Sequence, residues 1–242
     1  MNNLADDNPC GVLLVDKAQE MTSHDVVAIA RGVLKFKKIG HCGTLDPMAT
    51  GLLMLVIGKA TKIQDLLMSE DKTYDGTMTL GKTTSSQDAM GDVTEEKDVP
   101  AFSDSDIRNA FDVFKGDFEQ LPPMVSAIKK DGVPLYKLAR KGKTVERKPR
   151  AVTVHGAEIS RVELPEVDFT VHCSKGFYVR TYAHDVGNEL GCGAHLSALR
   201  RTRSGKFTLE GAVPAMNLKT MSREDVLSRL ISLSEISLMR GA

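Results

Sequence analysis

The sequence predicts a mixed α/β fold, because short apolar runs alternate with amphipathic segments along the chain. The runs GVLLVD at 11–16 and LLMLVIG at 52–58 end in polar residues or glycine, which is typical of buried strands. Residues 73–80 alternate polar and apolar positions with a period of two, which indicates a third strand. Residues 103–116 combine a cap-like Ser or Asp, an apolar face and a closing glycine, which predicts a helix.

The remaining elements follow from the same patterns. Residues 60–71 predict a helix with Ile63, Leu66 and Leu67 on one face. Residues 121–150, with prolines near their start and lysines throughout, predict a long excursion from the core.

The last third of the chain continues the alternation. Strands are predicted at 151–164 and 168–174, with a turn at 175–176, and a helix at 181–191 that Gly191 ends. Residues 217–239 predict one helix and a tail.

Composition excludes several classes of protein. A chain of 242 residues with 41% hydrophobic and 26% charged residues is ordinary for a globular protein. No apolar stretch approaches the length of about 18 residues that a membrane helix needs, and the polar N-terminus differs from a signal peptide. We therefore expect a cytoplasmic protein without membrane contact. The cysteines lack a C-x-x-C pair, so we expect reduced thiols and no metal site; they are Cys10, Cys42, Cys173 and Cys192.

Charge is balanced in total but uneven along the chain. Residues 129–150 are strongly positive, because they contain nine basic residues and only two acidic ones, Asp131 and Glu146. A second basic cluster comprises Arg200, Arg201, Arg203 and Lys206. Such patches indicate a polyanionic ligand, because phosphate contacts release counterions. A solvated lysine-rich surface is the alternative that each patch alone leaves open.

One motif match is misleading. GTMTLGKT at 76–83 fits the phosphate-loop pattern G-x-x-x-x-G-K-[ST]. A phosphate loop needs a strand before it and a helix opening at its lysine, whereas this stretch itself alternates like a strand. We therefore reject nucleotide hydrolysis.

The stretch GHCGTLDPMATG at 40–51 has the composition of a functional loop. Its three glycines allow positive φ angles and close approach of another backbone, and Asp46-Pro47 indicates a tight turn. Such a loop can hold an acid in place. For an isolated Asp-Pro pair, a mere turn or cap role is the alternative.

The whole string, GHCGTLDPMATGLLMLVIGKATK, resembles the signature of the TruB family, the bacterial tRNA pseudouridine-55 synthases. Further blocks at 11–27, 71–92, 121–142 and 172–205 resemble that family in the same order. The resemblance implies a pseudouridine synthase fold, with a largely antiparallel central sheet, flanking helices and an RNA-binding cleft. It also implies isomerisation of uridine 55 in the tRNA T-loop by base flipping.

In this family the aspartate of G-H-x-G-T-L-D-P is catalytic, which implies that role for Asp46. The reaction adds and removes no atoms, so a carboxylate suffices and we expect no cofactor. A carboxylate in a dry pocket needs a fixed cation, for which Arg180 is the candidate. The resemblance gives Tyr74 the task of stacking on the flipped base. From these residues alone, Arg180 could equally be an exposed charge and Tyr74 a core residue.

The resemblance also implies residues that bind substrate, namely His41, Tyr178, Leu199, Lys17 and Lys62. His41 would fill the space that the flipped base leaves. The insertion at 121–150 would bind phosphates of the tRNA T-arm, giving affinity rather than sequence choice. We expect a monomer that needs no protein partner.

Three positions depart from the family pattern: Ala18 replaces the usual proline, Glu20 replaces the usual glycine, and Cys42 stands where threonine or serine is common. The resemblance places the catalytic domain at 1–210, followed by a short C-terminal segment at 211–242 where many relatives carry an RNA-binding PUA domain. Two alternatives stay open, a guide-RNA-dependent pseudouridylase of the dyskerin type and a tRNA-folding chaperone without catalysis.

Overall fold

The computed structural model describes residues 8–130, 132–139 and 141–241. The chain divides into two compact units, one formed by Met1–Lys72 with Arg200–Ala242 and the other by Thr73–Leu199. Both units combine strands with helices, so the predicted mixed α/β class is confirmed.

The strands are β1 (Gly11–Lys17), β2 (Ile39–Cys42), β3 (Thr50–Ile57), β4 (Lys72–Leu80), β5 (Lys82–Thr84), β6 (Val93–Glu96), β7 (Gly116–Gln120), β8 (Lys129–Lys130), β9 (Val133–Pro134), β10 (Arg150–Glu163), β11 (Glu166–Cys173), β12 (Ala194–Ser204), β13 (Phe207–Thr208) and β14 (Val213–Pro214). The α-helices are α1 (Ser23–Leu34), α2 (Gln64–Met68), α3 (Asp104–Asp112), α4 (Leu135–Ala139), α5 (Val179–Glu189), α6 (Ala215–Leu218), α7 (Arg223–Ser228) and α8 (Leu233–Arg240). Among the described residues, no helix combines the length and the apolar character needed to span a membrane.

In the first unit β3 pairs antiparallel with both β1 and β2, while β14 runs parallel to β1. Its buried side chains form one core that includes Val12, Leu52, Met54 and Ile236. Because Ile236 lies on α8, the C-terminal segment contributes to this core and is not a loose tail.

In the second unit the neighbouring strands are β4, β11, β10 and β7, and the pairs β11–β10 and β10–β7 are antiparallel. Edge-to-face aromatic contacts tie α3 and α5 to this sheet, since the rings of Phe111, Phe169 and Tyr182 have centroids 5.4–6.0 Å apart. The predicted largely antiparallel sheet with flanking helices is confirmed.

The predicted helix over 60–71 is only partly correct. A 3₁₀ turn over Gly58–Ile63 precedes a short α2, and Leu66 is 46% exposed whereas Leu67 is fully buried. The buried Lys72 ammonium donates to the carbonyls of Met68 and Glu70, which fixes the chain where α2 ends.

The C-terminal prediction of one helix is wrong, because residues 217–239 contain the end of α6 and two further short helices. Ser222 and Ser232 each cap a new helix by accepting the N–H of the residue three positions later. Two start signals in 23 residues break the segment into pieces.

The phosphate-loop match is confirmed as fortuitous. Residues 76–80 lie in β4, and Lys82 and Thr83 lie in β5, which pairs antiparallel with β6. The lysine therefore stands in a strand and not at the start of a helix. The four cysteines are free thiols in the described chain.

Candidate active site

The aspartate of the glycine-rich loop lies in a tight turn between β2 and β3. The Asp46 carbonyl accepts the Ala49 N–H at 3.0 Å, so Pro47 occupies the second position of the turn, where its fixed φ fits. Leu45, Met48 and Ala49 are buried, whereas Asp46 is half-buried. The buried neighbours anchor the turn and leave the carboxylate able to meet a ligand.

A buried lysine holds the far side of this turn. Lys17, at the end of β1, is fully buried, and its Nζ donates to the carbonyls of Met21 at 2.7 Å, Ala18 at 2.8 Å and Pro47 at 3.4 Å. Burial lowers the pKa of Lys17 to about 8, and the negative charge of Asp46 opposes that shift. Lys17 therefore fixes the loop backbone and shares an electrostatic environment with Asp46.

The start of α1 fixes the near side of the turn. Ser23 Oγ accepts the Leu45 N–H at 2.9 Å and donates to the Leu45 carbonyl at 3.2 Å. The Glu20 N–H donates to the Pro47 carbonyl at 2.9 Å, and Glu20 has a φ of +62°. This left-handed backbone explains why the family pattern has glycine at the position of Glu20.

A second buried cation joins the two ends of the loop. Arg201, 1% exposed, donates from Nε to the Leu52 carbonyl at 2.7 Å and from Nη2 to the Gly43 carbonyl at 3.2 Å. Gly51 has a φ of +97°, and a Cβ there would lie 2.3 Å from the Arg201 carbonyl oxygen. The loop therefore needs glycine at 51 for both conformation and space. Sequence reasoning missed this clamp, because nothing in a run of arginines marks the buried one.

The predicted positive φ is confirmed at Gly43 and Gly51 but not at Gly40. A Cβ at Gly40 would lie 2.8 Å from Gln64 Oε1, so a larger residue there would displace the Gln64 side chain.

The second basic cluster is divided, because Arg203 and Lys206 are exposed whereas Arg200 and Arg201 are engaged within the protein. Arg201 is buried in the loop clamp, and Arg200 forms a two-point ion pair with Asp16, with Nη2–Oδ2 at 2.7 Å and Nη1–Oδ1 at 3.1 Å. Arg203 Nε donates to the Gly205 carbonyl. Arg201 and Arg203 thus bind backbone carbonyls, and Arg200 binds a carboxylate.

His41 lies on β2 and not in a loop, as its sequence context suggested. Its ring meets the His24 ring edge-on, with centroids 5.2 Å apart, and its buried Nδ1 has no hydrogen-bond partner among the described residues. Burial lowers the pKa of His41 to about 4, with a smaller effect from the neighbouring His24 charge. The imidazole is therefore neutral at physiological pH. Lys62, by contrast, is exposed on the 3₁₀ turn.

The low pKa of His41 predicts a loss of stability in acid. The unfolded chain binds a proton near pH 6.5 and the folded chain near pH 4, so stability falls as the pH drops through this window. Between pH 7 and pH 5 we expect the free energy of unfolding of His41→Gln to fall by about 1 kcal/mol less than that of the unsubstituted protein, with solvent screening taken into account. Urea unfolding at the two pH values measures this difference. The exposed control His172→Gln on β11 should keep the acid loss of the unsubstituted protein, and an equal loss in His41→Gln contradicts the assignment.

In the second unit Arg180 is buried and not an exposed charge. On the first turn of α5, its Nη1 donates to the Ser86 carbonyl at 2.8 Å and its Nη2 to the Val125 carbonyl at 2.6 Å, while Nε lies 3.6 Å from Asp88 Oδ2. A guanidinium with several fixed acceptors keeps one orientation.

The Asp88 carboxylate that faces Arg180 is itself held by its loop. Its Oδ1 accepts the Met90 N–H at 3.0 Å and the Ser86 hydroxyl, and Gln87 between them has a φ of +63°. Sequence reasoning did not single out Asp88. The available signal was an aspartate in a polar loop, because an aspartate side chain there favours a turn in which it accepts the N–H two residues later, as Asp88 does with Met90.

The other predicted residues of this unit lie on three elements. Tyr74 is half-buried on β4, Leu199 is buried on β12, and Tyr178 is half-buried at the N-cap of α5. Gln120 side-chain atoms bond both backbone groups of Tyr178: Oε1 accepts its N–H at 2.8 Å and Nε2 donates to its carbonyl at 3.1 Å.

The basic insertion lies in the same unit and contains the β8–β9 hairpin and α4. Its described lysines are exposed; they are Lys129, Lys130, Lys137, Lys141, Lys143 and Lys148. Arg147 instead donates to the Pro122 carbonyl at 3.0 Å and joins the two ends of the insertion. Arg140 and Asp131 lie outside the described residues.

The first unit carries an acid on a clamped glycine loop, and the second carries a buried arginine and an insertion with exposed lysines, which are the groups that the resemblance to the TruB family implies. Comparison with family models agrees. Residues 31–179 match the N-terminal domain of TruB family pseudouridylate synthases, and residues 180–238 match the tRNA pseudouridylate synthase B C-terminal domain. The chain belongs to the TruB family and is an isomerase of the pseudouridylate synthase class.

Individual relatives agree with this family. The chain is 56% identical over 221 residues to tRNA pseudouridine synthase B of Opitutus terrae, covering 91% of this chain and 92% of the relative. It is 48% identical to the protein of that name from Syntrophotalea carbinolica, covering 93% of this chain and 74% of the relative.

Two solved structures share the fold. One is a Cbf5–Nop10–Gar1 complex, with 33% identity and a TM-score of 0.68, and the other an archaeal box H/ACA sRNP Nop10–Cbf5 complex, with 27% identity and a TM-score of 0.69. The match covers 88% and 95% of this chain but only 54% and 61% of those chains.

Proposed function

We propose that this protein converts uridine 55 in the T-loop of tRNA into pseudouridine. The relatives named tRNA pseudouridine synthase B support tRNA as the substrate. The observation that carries the chemical part of the proposal is the half-buried Asp46 on a turn that Lys17, Ser23 and Arg201 hold from separate elements.

The reaction breaks the N1–C1′ bond, turns the uracil while it stays bound, and joins C5 to the same C1′. In this proposal Asp46 acts at the ribose, as nucleophile or as base, and must be ionised to do so. The clamped turn supports this role because a side chain held rigidly can approach C1′ without further ordering. The proton on C5 is exchanged for one on N1, so no electron carrier takes part.

Arg180 supplies the positive charge that keeps the catalytic carboxylate ionised, and Tyr74 stacks on the uracil after it has flipped out of the T-loop. Tyr178 and Leu199 contact the nucleoside, and neutral His41 fills the vacated space in the RNA. Lys17 and Lys62 support the site and bind substrate. The protein acts as a monomer.

The insertion supplies phosphate contacts. We expect the triple substitution of Lys137, Lys141 and Lys143 by Gln to weaken T-arm binding at low salt by about 10-fold or more. We also expect it to reduce the slope of log K against log salt by about 2, because each lost phosphate contact removes about 0.7–0.9 from the slope.

Titration of a labelled T-arm at several salt concentrations measures both quantities. The exposed lysines Lys115 and Lys219, changed together to Gln, serve as a control outside the insertion. If the control lowers the slope as much as the triple variant, the insertion has no special role.

The proposal is tested by incubating the purified protein with an unmodified T-arm stem-loop and mapping pseudouridine. Product at the position equivalent to uridine 55, without guide RNA or added protein, is expected. Product only after a guide RNA is supplied would favour the guide-dependent alternative. RNA binding and refolding without any product would favour the chaperone alternative.

We also propose that residues 1–210 carry the catalytic domain and that residues 211–242 form a short C-terminal segment. The backbone pairing of β14 with β1 and the burial of Val226 and Ile236 support a stabilising role for this segment.

A further inference from the structure

The insertion begins and ends at one pair of residues. Gln120 ends β7, Arg150 begins β10, and the two lie opposite each other in the antiparallel β7–β10 ladder. Residues 121–149 therefore leave the sheet and return to it at a single pair of facing strand positions. The Gln120 side chain is 2% exposed although glutamine is mostly found at surfaces.

The buried Gln120 amide directs both its oxygen and its nitrogen to one residue. It accepts the N–H of Tyr178 and donates to the Tyr178 carbonyl, while that carbonyl also accepts the first helical N–H of α5, from Tyr182 at 3.0 Å. No side chain caps this end of α5. The glutamine amide therefore acts as a helix cap, and it fixes the position of Tyr178 at the start of α5.

A second contact joins the same two regions. Two residues after Tyr178, Arg180 donates to the carbonyl of Val125, five residues after Gln120. The base of the insertion and the first turn of α5 are thus connected twice, once through the Gln120 side chain and once through the Arg180 side chain.

We infer that Gln120 is a positioning residue, which holds the Tyr178–Arg180 segment in its reactive place at the root of the RNA-binding insertion. This inference rests on the function proposed above. It requires the amide specifically, because only a group with one donor and one acceptor can satisfy both backbone groups of Tyr178.

The substitution Gln120→Glu tests the requirement with little change in shape. Ionised glutamate can still accept the Tyr178 N–H, but its second oxygen faces the Tyr178 carbonyl and repels it. Protonated glutamate donates to that carbonyl and restores the pair. Burial raises the pKa of a carboxyl group, which brings this switch into an accessible range.

Neighbouring charges set the direction of smaller effects. Glu119 on β7 would raise the pKa of the introduced carboxyl, while Arg150 on β10 and Arg180 on α5 would lower it. Arg150 is exposed and Arg180 is engaged with Ser86, Val125 and Asp88, so burial dominates.

In single-turnover assays we expect the rate constant of Gln120→Glu to be about 10- to 100-fold below the unsubstituted protein at about pH 8.5. At about pH 5.5 we expect it to recover to within about threefold. Gln120→Met has similar volume but no donor or acceptor, so its rate should stay low at both pH values. T-arm affinity should change by less than about threefold in both variants, because the insertion keeps its lysines.

Glu119→Gln is the matched control, because it changes charge on the same strand at a neighbouring position whose side chain points to the opposite face. Its rate should match the unsubstituted protein at both pH values. A folded Gln120→Glu variant with an unchanged rate, or with a reduced rate that acid does not restore, overturns the inference.

A measurement without activity separates this inference from the proposed function. Hydrogen exchange of the Tyr178 amide should accelerate by about 10-fold or more in Gln120→Met, while the amide of Thr170 on β11 stays protected. An unsubstituted protein that makes no pseudouridine refutes the proposed function. Unchanged Tyr178 exchange refutes the positioning role, whatever the activity is.

Discussion

Asp46→Asn should abolish pseudouridine formation while leaving T-arm binding largely intact. An amide has nearly the shape of a carboxylate but is neither a nucleophile nor a base at C1′. We expect the single-turnover rate constant to fall by a factor of about 10⁴ or more, and the dissociation constant of the T-arm to change by less than about threefold.

The fold should tolerate this change, because asparagine keeps the backbone contacts of the turn and nearly the same side-chain shape. Those contacts use the Asp46 carbonyl, the Pro47 carbonyl and both backbone groups of Leu45. Asp75→Asn, an exposed aspartate on β4, is the control and should retain full activity. Isomerisation by Asp46→Asn at the unsubstituted rate would refute the catalytic assignment. If Asp46→Asn loses both folding and binding, Asp46→Glu tests the assignment instead, because glutamate keeps the charge but moves the carboxylate away from C1′. For Asp46→Glu we expect the rate constant to fall by about 10²-fold or more, about 3 kcal/mol.

Arg180→Lys should reduce the rate constant by about 10²- to 10³-fold, although the charge is kept. The guanidinium reaches the Ser86 and Val125 carbonyls and the Asp88 carboxylate from three different nitrogen atoms. An ammonium group is a single point and cannot hold all three acceptors, so its position relative to the substrate changes. Single-turnover kinetics and urea unfolding, measured on the same preparation, separate lost chemistry from lost folding.

The matched control for Arg180 is Arg161→Lys in the same unit. Arg161 contacts Glu163, Glu166 and Asp168, but its side chain is 38% exposed, so its ion pairs contribute little. We expect Arg161→Lys to leave both the rate and the unfolding midpoint nearly unchanged. Full activity in a folded Arg180→Lys variant would show that the buried charge alone is sufficient.

Much of the fold was predictable from local pattern. The buried strands β1 and β3, the alternating strand β4 and the capped helix α3 were predicted from apolar runs, a period of two and a serine cap, which are properties of neighbouring residues. Predictions failed where weak helix signals competed. α2 is shorter than its pattern, and two internal serine caps divide the C-terminal segment.

For the candidate site too, the sequence predicted local features but not long-range contacts. The turn at Asp46-Pro47 follows from residue types that favour it, and the loop signature was sufficient to indicate the family. The partners that hold the site were not visible in the sequence. Gln120 is 58 residues from Tyr178, and Arg180 is 94 residues from Ser86 and 55 from Val125.

The two arginines near the end of β12 make the physical reason plain. Arg200 and Arg201 are adjacent and chemically identical in the sequence, yet one forms an ion pair at the surface and the other is buried as a clamp on the loop that carries Asp46. The sequence by itself determined the strand pattern, the Asp46-Pro47 turn and the family. Only the tertiary structure decided which cations are buried and which backbone groups they hold, because burial and long-range hydrogen bonds depend on residues that are distant along the chain and are brought together by the fold.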